Sequence, residues 1–161
     1  MAGTYSQLYI QIVFAVNGRK NMLHKPWRSE LFKYMAGIIN GKGQKTIIVN
    51  GVSDHVHILI GLKPSMAISD LVRDVKNNST NFINSQKITR GKFSWQAGYG
   101  AFSYGKSQLN HVYGYVLNQE KHHSKTSFRE EYHEFLRKYE IEHDDKYLFQ
   151  WIEECHPSGV Q

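Results

Sequence analysis

His55 and His57 flank Val56 in the run Asp54-His-Val-His-Ile-Leu-Ile60. Side chains alternate faces along a strand, so two histidines one residue apart point the same way. Val56, Ile58, Ile60 and Leu62 take the other face and read as buried. Two imidazoles side by side on a rigid sheet, roughly 7 Å apart at the backbone, form half of a divalent metal site. Alone, a His-x-His pair is more often a satisfied surface or core feature. The remainder of a site must come from elsewhere in the chain.

Tyr115-Val-Leu-Asn-Gln119 supplies candidates. Residues four apart on a helix lie about 6 Å apart on one face, so Tyr115 and Gln119 stand together. A glutamine oxygen can complete a hard divalent site begun by two imidazoles. A phenol beside that ion is a poor nucleophile in general, with a reference pKa near ~10. It becomes useful against a phosphodiester whose charge a cation offsets. Two other tyrosines compete. Tyr113 has Leu117 at the fourth position and sits nearer an apolar stripe, while Tyr104 and Gln108 straddle a strand-to-helix junction. Tyr115 is therefore the nucleophile candidate. His122 and His123 do not read as a second metal pair, because neighbouring helical residues point about 100° apart.

The elements that must position these groups follow from periodicity. Tyr5 to Val16 reads as a strand with Leu8, Ile10, Ile12, Phe14 and Val16 on one face and Gln7, Tyr9 and Gln11 on the other. Pro26 to Asn40 reads as a helix with the stripe Trp27, Leu31, Met35 and Ile38, closed by Gly41. Lys45 to Asn50 is a short strand, and Asn50-Gly51 starts the connection into the histidine strand. A second helix opens at Pro64-Ser65 and turns Ile68, Leu71, Val72, Val75 and Phe82 inward. Residues 86–100 are irregular, and Ala101 to Tyr104 is a further strand. A helix from Ser107 to about His122 carries Tyr115, and a last one begins at the capping box Ser127-Phe-Arg-Glu130, packing through Phe128, Tyr132, Phe135 and Tyr139. The order describes an α+β, ferredoxin-like (RRM-like) antiparallel sheet with helices on one face, plus a C-terminal helix bearing the nucleophile. The second sheet face, with Gln7, Tyr9, Gln11, His55 and His57, is expected to be polar and open. Removing the histidine pair should then spare the fold. Residues 1–149 read as one domain and 150–161 as a tail, the looser part starting near residue 145, with Cys155 inert in it.

With 20 Lys and Arg against 14 Asp and Glu, the 161-residue chain carries a formal net charge of +6. That balance favours a polyanionic partner but is weak evidence alone. A single cysteine excludes an intrachain disulfide and a thiolate zinc cluster. No apolar run approaches the ~20 residues of a membrane span, and no signal-peptide pattern opens the chain. A cytoplasmic, nucleoid-associated protein is expected.

With these motifs assembled, the chain resembles the single-tyrosine HUH transposases of small bacterial insertion sequences, the TnpA or IS200-like type, from about Tyr5 to Phe149. The resemblance rests on His55-Val56-His57 and on the helix with Tyr115 and Gln119. Gly61-Leu-Lys-Pro-Ser65, Phe93-Ser-Trp-Gln96, Gly98-Tyr-Gly-Ala-Phe-Ser103 and Asn118-Gln-Glu-Lys-His-His123 add to it. It implies that His55, His57 and Gln119 hold Mg²⁺ or Mn²⁺. It also implies that Tyr115 cleaves and rejoins single-stranded DNA through a 5′-phosphotyrosine, and that homodimers bind hairpins near element ends, with the tyrosine helix serving either subunit. Arg73, Lys76, Arg90 and Lys92 are the candidate phosphate contacts, and Trp95, Tyr99 or Phe102 the candidate stacking residues. Two other readings remain: a non-catalytic nucleic-acid binder using the open sheet, and a domesticated relative that processes repeated chromosomal palindromes with the same chemistry.

Overall fold

The computed structural model describes residues 2–152. Four strands, β1 (Tyr9–Ala15), β2 (Lys45–Gly51), β3 (His55–Gly61) and β4 (Gly100–Tyr104), form one sheet in the order β2-β3-β1-β4, every neighbouring pair antiparallel. This is the ferredoxin-like order anticipated above. Helices α1 (Lys25–Gly41) and α2 (Ile68–Ser85) pack on one face. Their buried side chains, among them Leu31, Met35, Leu71 and Val75, meet Ile10, Ile12, Phe14, Val56, Ile58 and Ile60 of the central strands. Pro26 serves the first turn of α1, where its missing N–H has no partner to lose.

The second face is not open. Helices α3 (Leu109–Leu117), α4 (Gln119–His123) and α5 (Phe128–Lys138) cover it. The cause lies in residues that share that face with the histidines. Val13 pairs with His57, Ala15 with His55, and Gln11 with both Leu59 and Phe102. Val13, Ala15, Leu59 and Phe102 are apolar and require a lid. Leu59 meets Val112 and Val116 of α3, while Phe102 stacks on Phe135 of α5 at 4.7 Å between centroids. His55, His57 and Gln11 are consequently buried completely.

Other boundaries shift. β1 starts at Tyr9, and Tyr5 is 93 % exposed. α2 begins at Ile68 rather than at Pro64-Ser65. The expected helix from Ser107 to His122 is divided into a 3₁₀ turn over 106–108, then α3, then α4 after a break at Asn118. At the break the Asn118 backbone N–H and its Nδ2 share the Gly114 carbonyl, at 3.0 and 2.9 Å, while Asn50 of β2 donates to the Val116 and Leu117 carbonyls. Of the expected tail, residues up to 152 are described: Phe149 is buried beside Phe128 and Tyr132, and Trp151 packs on both. Cys155 and the rest of that segment lie outside the described residues.

Gly51 closes β2 opposite Val56 and leads into the turn that sets His55. A Cβ there would run into the His55 carbonyl oxygen and come within 3.0 Å of Val56 Cα. Both are backbone atoms that cannot swing aside. Gly51→Ala should therefore destabilise the protein by about 2–3 kcal/mol, read from urea unfolding. An unchanged midpoint would show that the turn is looser than this geometry requires.

Candidate active site

β3 delivers His55 and His57 to the second face, and α5 brings Glu131 down onto them. Ser127 Oγ accepts the Glu130 N–H at 3.2 Å, which fixes the first turn of α5. Glu131, in that turn, is 3 % exposed. Its Oε1 lies 2.9 Å from His57 Nε2 and 3.2 Å from His55 Nε2. Its Oε2 accepts the Tyr115 hydroxyl and lies 3.1 Å from His123 Nε2, 3.3 Å from His122 Nε2 and 3.3 Å from Gln119 Nε2. One buried carboxylate thus gathers four imidazoles, a phenol and an amide. Within one chain, the Tyr115 and His57 rings are 5.9 Å apart.

A second layer orients the donors. His55 Nδ1 lies 2.7 Å from Asp54 Oδ1, and the ring stacks on Phe128 at 3.9 Å. His57 Nδ1 lies 2.7 Å from Gln11 Nε2, while Tyr104 donates its hydroxyl to Gln11 Oε1 at 2.8 Å. His123 Nδ1 lies 2.7 Å from the Thr126 carbonyl. Asn50, opposite His57 on β2, donates to the carbonyls of Val116 and Leu117 at 2.9 and 3.0 Å. It thereby caps α3 and ties the Tyr115 helix to the sheet. A cleft of about 450 Å³ lined by Tyr104, His111, Tyr115, His122, Thr126 and Glu131 opens onto the phenol.

The residues fit a divalent cation. His55 Nε2, His123 Nε2 and Gln119 Oε1 are buried without a hydrogen-bond partner, and imidazole nitrogens with carboxylate and amide oxygens are the donors such ions take. His55 Nε2 and His123 Nε2 lie close to Glu131 yet lack hydrogen-bond geometry.

Electrostatics follow from this crowding. Burial alone would lower the pKa of His55, but Asp54 and Glu131 outweigh it and raise it to about 9. Burial dominates at His57 and lowers it against the pull of Glu131. Glu131 is held far below the ordinary carboxylate range; burial opposes this, and His57, His123 and His55 overcome it. Tyr115 is pushed up by burial and then by the Glu131 charge. In the metal-free protein, the His55 contribution to stability is complete below its unfolded pKa of 6.5 and is lost as pH rises towards 9. The Glu131 contribution is present above its unfolded 4.5 and lost as pH falls below it. His57, lowered from 6.5, adds to the loss on the acid side. Thermal melts in EDTA should peak near pH 6.5 and decline towards pH 9 by about 2–3 kcal/mol of stability. A flat profile over that alkaline range would contradict the His55 environment.

The structure brings His55, His57, Tyr115 and Gln119 together, and it adds Glu131 and His123, which sequence reasoning missed. A signal for His123 existed: Tyr115, Gln119 and His123 are spaced by four. The four candidate phosphate contacts are not brought to this cluster. Arg73 and Lys76 are on α2, across the sheet from it. Arg73 pairs with Asp70 and Asp74, and Lys76 donates to the carbonyls of Gln96 and Gly98 at 2.8 and 2.7 Å. Arg90 and Lys92 are exposed in the irregular stretch. Trp95 and Phe102 are core residues, whereas Tyr99 is 37 % exposed.

A ferredoxin-like sheet bearing a histidine pair, with a tyrosine helix docked on it, places the chain among the DNA-processing transposases. The model of the IS200-like transposase family matches residues 4–119, and the chain belongs to that family. Among solved structures, it is similar to a Deinococcus radiodurans R1 protein provisionally described as a transposase, at 21 % identity and TM-score 0.60, over 74 % of this chain and 95 % of that one. It is also similar to a REP-associated tyrosine transposase bound to a REP hairpin, at 12 % identity and TM-score 0.57, over 78 % of this chain and 74 % of that one. These likenesses establish the fold. No curated protein matches the chain. Among the described residues, no helix is long and apolar enough to cross a membrane.

Proposed function

We propose that this transposase cleaves and rejoins single-stranded DNA at insertion-sequence ends through a 5′-phosphotyrosine on Tyr115. The observation that carries the reading is the convergence of the Tyr115 hydroxyl and both His Nε2 atoms on one carboxylate. His55, His57 and Gln119 would hold Mg²⁺ or Mn²⁺, which when bound offsets phosphate charge and polarises phosphorus. Tyr115 Oη forms the new bond to phosphorus as the bond to the 3′-oxygen breaks, leaving a free 3′-hydroxyl. Two acceptors face the phenolic proton: Glu131 Oε2 and His122 Nε2, the latter 3.4 Å from Oη. Burial lowers the pKa of His122, which keeps a lone pair available at neutral pH. Rejoining reverses the step on another end, with one phosphoester exchanged for another and no need for ATP.

The hairpin in the REP-associated relative supports a folded DNA end as the partner. Arg90 and Lys92 are the exposed cations offered to its phosphates, and a homodimer would present two such sites to two ends. Chromosomal palindromes in place of element ends would use the same chemistry. A binder that stacks bases on the sheet is disfavoured, because α3 and α5 occupy that face. The test is to incubate the protein and Mn²⁺ with a labelled hairpin carrying single-stranded flanks. A protein–DNA band that survives denaturation, together with a released strand that a polymerase can extend from its 3′ end, is expected. Cleavage that leaves no protein-linked DNA would refute the covalent route.

A further inference from the structure

Resting on that reading, we propose that Glu131 and His123 are metal ligands alongside His55 and His57. The centre then has three imidazoles and a carboxylate besides the Gln119 amide oxygen, and prefers Mn²⁺ and similar transition ions over Mg²⁺. One ring nitrogen from each of the three histidines and a Glu131 carboxylate oxygen all lie within 4.8 Å of one another. Their partners leave them little other role. Asp54 takes the Nδ1 side of His55 and the Thr126 carbonyl takes that of His123, which turns both Nε2 lone pairs towards Glu131. A lone pair facing a carboxylate is satisfied only by a cation or proton between them. Both Nε2 atoms lack a hydrogen-bond partner, and so does Gln119 Oε1, on a side chain with no exposure.

The neighbouring chemistry agrees. A flip of the Gln11 amide would present its oxygen to His57 Nδ1 and free His57 Nε2 as well, with the Tyr104 hydroxyl then accepting from the amide nitrogen instead of donating to the oxygen. Glu131 has two oxygens with separate surroundings. Oε1 faces His55 and His57, while Oε2 holds the Tyr115 hydroxyl. A ligating carboxylate would therefore tether the nucleophile to the ion's edge. Three imidazoles suit borderline transition ions, whereas Mg²⁺ favours oxygen donors and retains water.

The purified full chain, stripped with EDTA, is titrated with Mn²⁺ and followed by the electron paramagnetic resonance of the free ion. Wild type should bind one ion, and a hundredfold excess of Mg²⁺ should displace little of it. Glu131→Gln and His123→Gln should each weaken binding at least about 100-fold, with circular dichroism reporting their fold. Spin-echo modulation of Mn²⁺ in the wild-type protein counts bound imidazoles independently of any variant that unfolds, and three are expected. Two imidazoles, or unchanged Mn²⁺ affinity in both variants while His57→Gln loses it, would overturn the added ligands and leave the histidine-pair centre standing. Undiminished or tighter binding in Glu131→Gln alone would identify Glu131 as a stand-in for the substrate phosphate and overturn its ligation. Absence of Mn²⁺ binding in the wild type would sink both the added ligands and the metal reading beneath them.

Discussion

Tyr115→Phe should eliminate the denaturation-resistant protein–DNA band, a loss of at least about a thousandfold, because among the described residues no other hydroxyl is placed to replace it. Tyr104 spends its hydroxyl on Gln11, and Tyr113, 41 % exposed, faces away from the carboxylate cluster. Hairpin binding should persist in the variant, since the ring remains to pack beside His57 and Phe135. The fold should change by only about 1 kcal/mol, the scale of one hydrogen bond. Gel shift and denaturing gel on the same sample separate the two effects. A band of undiminished intensity would move the nucleophile elsewhere.

His57→Ala should cost about 3–5 kcal/mol of stability, large for a single substitution. The imidazole is buried completely, and its removal leaves Glu131 with one fewer hydrogen-bonding partner and Gln11 Nε2 without an acceptor. A cavity beside Phe135 adds to the loss. His57→Gln, which restores a polar group in similar space, should recover part of the stability without the metal affinity. Chemical denaturation of the two variants in EDTA checks this. Equal stability of His57→Ala and wild type would mean that the site opens to water in solution.

This expectation reverses the one drawn from sequence, and the reason is instructive. Alternation along β3 correctly placed both histidines on one face, and the polar Gln11 beside them made that face read as solvated. Val13, Ala15 and Leu59 sit on the same face and carried the opposite message, since three apolar neighbours on a sheet demand a cover. The fold order was legible because each strand and helix has its own period. The break at Asn118 was not, because the carbonyls just before it, of Val116 and Leu117, are held by Asn50 from a distant strand.

The candidate site was half legible. The spacings in His55-Val-His57 and Tyr115-x-x-x-Gln119 are local, so helix and strand geometry bring each pair together without knowledge of the tertiary fold. Glu131 has no such mark. It lies in an acidic first turn, Glu130-Glu131, where carboxylates ordinarily serve the helix dipole in solvent. Only the docking of α5 across the sheet turns one of the two inward. His123 was set aside with His122 because adjacent helical residues diverge, yet the run Tyr115, Gln119, His123 put it on the same face as Tyr115.

The most direct measurement of the central claim is to trap the protein–DNA adduct, digest it, and sequence the peptide that retains a nucleotide by mass spectrometry. The cut after Lys106 and the next after Lys121 release one fragment holding both Tyr113 and Tyr115. Fragment ions should place the phosphodiester remnant on Tyr115. A remnant on Tyr113, or on any residue outside that peptide, would contradict the account.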